Sequence, residues 1–305
     1  MTTENTAGKK VSGTAMGTAF LRALAVHDPE KKIRGADYLA EIFLEEEQKK
    51  PLKNTAIREW VMKNRITSGM YEFMIARTRF FDSLVEQSLK EDMEQIVLLG
   101  AGYDSRSYRF SRHIRNTVIF ELDEKTTQQR KQECLLQNKI SIPEQVRFVP
   151  VNFETDNLAD VLTAAGFSKT KKAFFSWEGV SYYMSPSAVD NMLDFIKANS
   201  PAGSSLAFDY ASLSEETLNE ERIKKFSEKM RTVYSDEPTK FGIRKGKIES
   251  FLSERGFRII EHLTAVDMNR KYLFIDNASE TGHADTTAVP ALFCLVYAVV
   301  AGNEK

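Results

Sequence analysis

Between residues 95 and 211 the chain repeats one texture five times: a short run that is apolar at nearly every position, then a polar stretch with helical spacing. The runs are QIVLLGAG (95–102), TVIFELD (117–123), VRFVPVNF (146–153), AFFSWEGV (173–180) and SSLAFDYA (204–211). Helices are predicted between them at 124–138, 157–165 and 186–199. A strand with one face in water alternates apolar and polar residues, whereas a strand covered on both faces does not. Strands of the second kind, alternating with helices, predict a parallel sheet flanked by helices, a doubly wound α/β architecture. Two further runs, RIIEHLTAVD and AVPALFCLVYAVV, bring the sheet to seven strands. The roughly 20 residues between them carry no long helical pattern, so this pair is expected to be antiparallel in an otherwise mostly parallel sheet.

The flanks of that core read differently. From residue 14 to 89 apolar residues recur at three- and four-residue spacing, in AFLRALAVHD, ADYLAEIFLEEE, AIREWVMKN and YEFMIARTRFFDSLVEQSL. Breaks are expected at His27-Asp28-Pro29 and at Pro51. Residues 14–93 are therefore expected to form a helical cap on a core of 94–305, with the polar residues 1–13 as a disordered tail. Residues 212–240 are dense in charge and helical in pattern, and with the helix KIESFLSERGF they form an expected lid insertion over about 212–256. No internal repeat or low-complexity tract is present, so one domain over 14–305 is expected.

The turn after the first run points to a ligand. In an open α/β sheet, ligands bind beyond the carboxyl ends of the strands where strand order reverses. Gly100 and Gly102 stand there, where the missing Cβ lets the chain turn tightly and lets a ligand approach the backbone. The second run ends in Glu121-Leu122-Asp123, and an acid at that place accepts hydrogen bonds from both hydroxyls of a ribose. A nucleoside ligand follows, although glycine also serves strand-to-helix turns that hold nothing. A dinucleotide fingerprint needs a third glycine, and its position is Ser105, preceded by Asp104. An acid at the start of the following helix repels a pyrophosphate. It suits a phosphate-free, positively charged cofactor such as S-adenosyl-L-methionine. No GxxxxGK[ST] phosphate loop occurs in the chain.

Composition narrows the partners. In 305 residues, 42 Lys and Arg face 43 Asp and Glu, a net charge of −1. That balance gives no electrostatic reason to expect nucleic acid or an anionic membrane, and a small, neutral or mildly charged substrate fits better. Cys134 and Cys294 are far apart and lack metal-ligand spacing, so neither a disulfide framework nor a zinc site is expected. The four histidines, His27, His113, His262 and His283, are scattered, and no metal site or Ser-His relay can be read from them. The N-terminus has no apolar signal core and no stretch reaches the roughly 18 apolar residues of a membrane helix, so a cytoplasmic protein without a membrane partner is expected. The oligomeric state is not readable from the chain.

From about Thr14 onward the chain resembles the leucine carboxyl methyltransferase family, including its bacterial branch of small-molecule and polyketide carboxyl O-methyltransferases. The resemblance rests on SGTAMGTAFLRAL, DYLAEIFL, ARTRFFDSLV, QIVLLGAGYDSRSYRF, VIFELD, WEGVSYYM and GFRIIEHLTAVDM. It implies a class I methyltransferase, Rossmann-like fold and S-adenosyl-L-methionine as cofactor. It also implies roles, position by position. Arg77 matches the arginine that clamps the carboxylate of the cofactor's methionine part, a task for a bidentate guanidinium, with Arg79 as a weaker competitor. Gly100, Ala101 and Gly102 match the turn beneath the methionyl-ribose portion, and Asp104 and Arg106 the GAGxDxR signature. Asp123 matches the ribose-binding acid, leaving Glu121 to packing, and Glu178 matches the glutamate beside the cofactor's amino group and the methyl-transfer site. Where the family has Asp and an apolar residue to hold adenine, this chain has Asn152 and Phe153. An Asn carbonyl oxygen accepts from an exocyclic amine as a carboxylate does, so adenine binding is expected to survive. Arg22 is the nearest match for a basic residue of the N-terminal helix that helps hold the cofactor carboxylate.

Methyl transfer to a carboxylate, already ionised near pH 7, needs no general base, and catalysis then comes from alignment in a dry pocket. The lack of a His-based relay is consistent with that. Tyr182 or Tyr183 is expected to orient the acceptor oxygen. The expected acceptor is a small-molecule carboxylic acid. Alternatives at this point are a protein C-terminal carboxylate as acceptor, an NAD-dependent oxidoreductase, which Asp104 and Ser105 disfavour, and a non-catalytic binder of the same fold.

Overall fold

In the computed structural model, which describes residues 12–233, 239–275 and 288–302, the five apolar runs are strands. They are β1 (Gln95–Leu99), β2 (Val118–Asp123), β3 (Val146–Pro150), β4 (Ala173–Trp177) and β5 (Ser205–Leu213). β6 (Ile243–Arg244), β7 (Phe257–Leu263) and β8 (Phe293–Val300) complete the sheet. Its order is β3-β2-β1-β4-β5-β8-β7, with β6 attached to the end of β5. β1 to β5 pair parallel, and β8 lies antiparallel between β5 and β7. The antiparallel pair foreseen in the sequence is there, with β8 inside the sheet and β7 at its edge. β6 was not foreseen, because two residues carry no periodicity.

From β1 the chain steps outward to β2 and β3 and then returns to β4 on the other side of β1, so strand order reverses between β1 and β4. The crevice that opens there, beyond the carboxyl ends, is the natural ligand site of such a sheet. Every residue of β1 and β4 is buried, which is why both read as unbroken apolar runs.

The α-helices are α1 (Gly13–Val26), α2 (Glu46–Lys53), α3 (Thr55–Asn64), α4 (Met70–Lys90), α5 (Arg106–Arg109), α6 (Lys125–Gln137), α7 (Leu158–Ala164), α8 (Pro186–Ala198), α9 (Glu215–Asn219), α10 (Glu221–Val233), α11 (Ile248–Ser253) and α12 (Ala265–Met268). One face of the sheet packs Ile96 and Leu98 against α1 and α4, through Leu24, Phe73, Ala76 and Phe80. On the other, Val97 and Leu99 meet Val189, Leu193 and Ile196 of α8. α1 to α4 fall between Gly13 and Lys90, and α9, α10, β6 and α11 within 212–256. Of the expected tail, residues 1–11 lie outside the described residues, as does His283; Ser12 already caps α1, its Oγ accepting from the Ala15 N–H at 3.2 Å. Among the described residues no helix is long and apolar enough to cross a membrane, and no group of His, Cys, Asp or Glu is arranged to hold a metal ion.

Two local expectations are corrected. Pro51 does not break the chain: it is the sixth of eight residues in α2, so its missing N–H removes one helical bond, to the Glu47 carbonyl. The Glu45/Gln48 capping box holds the start of that helix, and Pro51 and Leu52 are buried. ADYLAEIFLEEE forms only a short 3-10 turn at Ala40–Phe43 before α2. Leu39, Ala40, Phe43 and Leu44 are all buried, so tertiary packing has overridden the helical spacing.

Candidate functional site

The site is built where β1, β2 and β4 end. Gly100 and Gly102 both take positive φ, +70° and +43°. A Cβ on Gly100 would stand 2.4 Å from Val180 Cγ2, so the turn after β1 and the turn after β4 close on each other only without one. At Gly102 the same position meets nothing closer than Ala15 Cβ at 3.4 Å, leaving its backbone open to the cavity. Asp123, at the tip of β2, accepts from the Gly102 N–H at 2.6 Å through Oδ2 and from the Glu124 N–H at 2.7 Å through Oδ1. Burial pushes its carboxyl pKa up while those two N–H groups pull it down. Each oxygen keeps a lone pair for a ligand hydroxyl.

Glu178, just beyond β4, is the centre of a network of buried ions. Its Oε1 bonds the Arg22 guanidinium from α1 and lies 3.1 Å from Arg77 Nε of α4, and its Oε2 accepts from Arg106 Nη1 at 2.7 Å. Burial alone would raise the Glu178 carboxyl, but Arg106, Arg22 and Arg77 together hold it well below the usual carboxylate range. It is an anion fixed by three cations and has no proton to exchange near pH 7. Arg77 Nη1 donates to Asp209 Oδ2 at 2.9 Å, and the other oxygen of Asp209 accepts from the Gly179 N–H at 2.7 Å. Arg106 also binds Asp82 at 2.7 Å and Asp104 at 2.6 Å, and Arg109 reaches Asp82 at 2.7 Å and Asp37 at 3.3 Å. Buried charges survive only when paired in this way. The Nε atoms of Arg22 and Arg77 are buried and make no hydrogen bond of proper geometry, although Arg77 Nε lies beside Glu178 as an ion pair.

Asp104 engages the start of α5 itself. Its Oδ1 accepts from the backbone N–H of Arg106, the first residue of α5, at 2.8 Å, and its Oδ2 from that residue's guanidinium. In a dinucleotide-binding fold the pyrophosphate takes those helix-end donors. Here the chain's own carboxylate holds them.

These residues face one cavity of about 1380 Å³. Arg22, Arg77, Gly100, Ala101, Gly102, Asp104, Asp123, Asn152, Phe153, Glu178 and Tyr183 all line it. Asn152 sits in a turn after β3, its Oδ1 accepting from the Glu154 N–H at 3.0 Å. Tyr182 is not on the wall: it is buried, edge-on to Tyr183 and Phe293, and of the two expected tyrosines only Tyr183 meets the cavity. Arg79, the competitor of Arg77, is spent on the carbonyls of Tyr272 and Lys32, at 2.7 and 2.6 Å, away from the site. Glu121 points into the core and takes Lys131 and Ser107, both at 2.7 Å, which makes it a packing residue. Sequence reasoning missed Asp37, Asp82, Arg109 and Asp209. For Asp209 a signal exists, an acid inside the apolar strand SSLAFDYA, which must find a cation when buried.

The model of the family described as leucine carboxyl methyltransferase matches residues 15–197. YktD of Bacillus subtilis (strain 168), provisionally named an S-adenosyl-L-methionine-dependent methyltransferase, is 33% identical over 211 residues, covering 68% of this chain and 67% of that protein. A protein of Mycobacterium sp. (strain JLS) with the same provisional name is 32% identical over 209 residues, covering 65% of each. The chain thus spans about two thirds of the length of these curated relatives. Among solved structures, a DUF574 family protein from Streptomyces avermitilis covers 95% of this chain and 97% of its own, with a TM-score of 0.57 at 13% identity. A structure from Thermobifida fusca covers 93% and 94%, with a TM-score of 0.56 at 13% identity. At such identities the likeness is one of fold.

Proposed function

We propose that this chain, which belongs to the leucine carboxyl methyltransferase family, is an S-adenosyl-L-methionine-dependent O-methyltransferase acting on a carboxylate of a small molecule. The observation that carries the reading is Asp104. By filling the helix-end anion site with its own carboxylate, the chain gives up phosphate at the turn while keeping the ribose acid Asp123 and the arginine–glutamate network for the rest of the ligand. The relatives' names support the same cofactor.

The cofactor supplies an electrophilic methyl group on a sulfonium. Asp123 would hold the ribose hydroxyls, Asn152 and Phe153 the adenine, and Arg22 and Arg77 the methionyl carboxylate, with Glu178 beside its amino group. A carboxylate acceptor would need no base from the chain, because the transfer would cancel one positive and one negative charge without moving a proton. Glu178, held ionised, acts as a fixed charge and not as a base. Tyr183 orients the acceptor oxygen, and the closed turns after β1 and β4 keep donor and acceptor in line, an effect worth roughly 7–11 kcal/mol at best.

The test is transfer of label from methyl-labelled cofactor into a cell extract. Solvent-extractable, base-labile label supports a small-molecule methyl ester; label in protein or base-stable label overturns that part. Titration with S-adenosylhomocysteine should give 1:1 binding that is lost in Arg77→Ala and Asp123→Ala. Unchanged binding in both variants removes the site assignment.

A further inference from the structure

The cavity exceeds the roughly 300–1000 Å³ of an ordinary ligand pocket, so it has room beyond a nucleoside cofactor. Away from the strand tips its wall is apolar, made by Val61, Ile66, Met70 and Phe226. Five charged side chains share that wall, Glu47, Arg65, Glu154, Lys229 and Lys240. Glu47 pairs with Lys50 at 2.7 Å, and Lys240 with Glu154 at 3.6 Å. Arg65 and Lys229 have no carboxylate partner among the described residues. Lys229 Nζ donates instead to the Arg65 backbone carbonyl, and the Arg65 guanidinium lies 5.5 Å over the Trp60 ring. Burial, with Arg65 as a like charge beside it, pushes the Lys229 pKa down. Lys229 is half-buried and Arg65 exposed, and among the described residues these two alone of the cations on the wall pair with no carboxylate.

We propose that Arg65 and Lys229 form a distal anion site, and that the methyl acceptor is an amphipathic acid with a second anionic group at the far end of its apolar body. The inference rests on the carboxyl methyl-transfer reading and narrows its substrate class. The carboxylate to be methylated lies at the strand tips, the apolar body runs along Val61, Ile66 and Met70, and the second anion meets the cations carried by the end of α3 and by α10. Methionines on such a wall adapt to different bodies, whereas the two cations demand charge at one end.

The experiment compares matched pairs of acids, dodecanedioate with dodecanoate and terephthalate with benzoate, by calorimetric titration into the full chain saturated with S-adenosylhomocysteine. At least one diacid should bind tenfold or more tighter than its monoacid. In the Arg65→Gln/Lys229→Gln double variant that advantage should fall below threefold, with S-adenosylhomocysteine affinity and Tm unchanged. No diacid advantage in either pair, or an advantage that persists in the double variant, overturns the distal site. A methylation assay on the same acids separates the two levels. Equal methylation of monoacids and diacids keeps the transferase reading and removes this inference, whereas cation-dependent diacid binding without any ester formed keeps the site and removes the reading.

Discussion

The two ends of the cavity are built on opposite plans. At the strand tips, Arg22, Arg77, Arg106 and Arg109 meet Asp37, Asp82, Asp104, Glu178 and Asp209, contributed by α1, α4, α5, β5 and the turns around them. At the other end the wall is mostly apolar, with single polar groups at intervals. The first plan holds reacting groups in one geometry at a high desolvation cost, and the second accommodates a shape. On the proposed reading, the methyl donor would sit against the first and the acceptor along the second.

The contrast should be largest in stability. Arg106→Met keeps the side-chain stem but takes one cation from Glu178 and Asp82 and the directly paired one from Asp104, so urea unfolding should show a loss of about 3–5 kcal/mol. Ile66→Val on the acceptor wall should cost at most about 1 kcal/mol. Equal losses would mean that the two ends are not built differently.

Acid should act on the tips alone. The carboxyls of Glu178 and Asp104 are lowered in the folded chain, so their contribution is complete above the unfolded values of 4.5 and 3.8 and is lost as pH falls through the lower folded values. Asp123 and Asp209 are raised, and their share of the slope has the opposite sign. Glu178→Gln removes the largest lowered group. It should be less stable than the parent at pH 7 by about 3 kcal/mol, and the gap should narrow progressively below pH 4.5. A gap constant from pH 7 to pH 3 would show that the Glu178 charge is not what the three arginines hold.

This division also governs what could be read from the chain. The apolar runs announced β1 to β5 within a few residues, because burial on both faces leaves polar residues nowhere to stand; even so the first run, expected over 95–102, ends as strand at Leu99, where Gly100 turns. The residues that touch the ligand space, from Gly100 to Asp104 and at Asp123, were legible because they follow strand ends directly. Their supports were not. Asp37, Asp82 and Asp209 come from a loop, a helix and a distant strand, and pairing across such separations leaves no spacing in the sequence. Tyr182 and Tyr183 are adjacent in the chain, and only the short turn at Ser181–Tyr183 sends one inward and one to the cavity.

Cofactor affinity sharpens the comparison at a smaller scale. Asp123→Asn keeps the volume and one acceptor oxygen but loses the charge that strengthens hydrogen bonds from hydroxyls, so S-adenosylhomocysteine should bind roughly ten- to a hundredfold more weakly. Phe226→Ala on the other wall should leave that affinity unchanged. Weakening in Phe226→Ala would show that the cofactor reaches into the acceptor end.

The smallest effect is expected at Asn152, where the chain departs from the pattern it resembles. A carboxylate there would accept more strongly from an adenine amine than the amide does, which taken alone predicts up to about tenfold tighter binding. The surroundings oppose it. The Asn152 N–H donates to Asp156 Oδ2 at 2.8 Å, so a second carboxylate would stand beside an existing one, with Glu154 two residues on. Either residue makes the same turn, its side-chain oxygen accepting from the Glu154 N–H. Asn152→Asp should therefore change S-adenosylhomocysteine affinity by less than about threefold, without loss of Tm. A tenfold gain by titration would show that Asp156 is too well solvated to repel, and that the amide at this tip trades affinity for faster release of product.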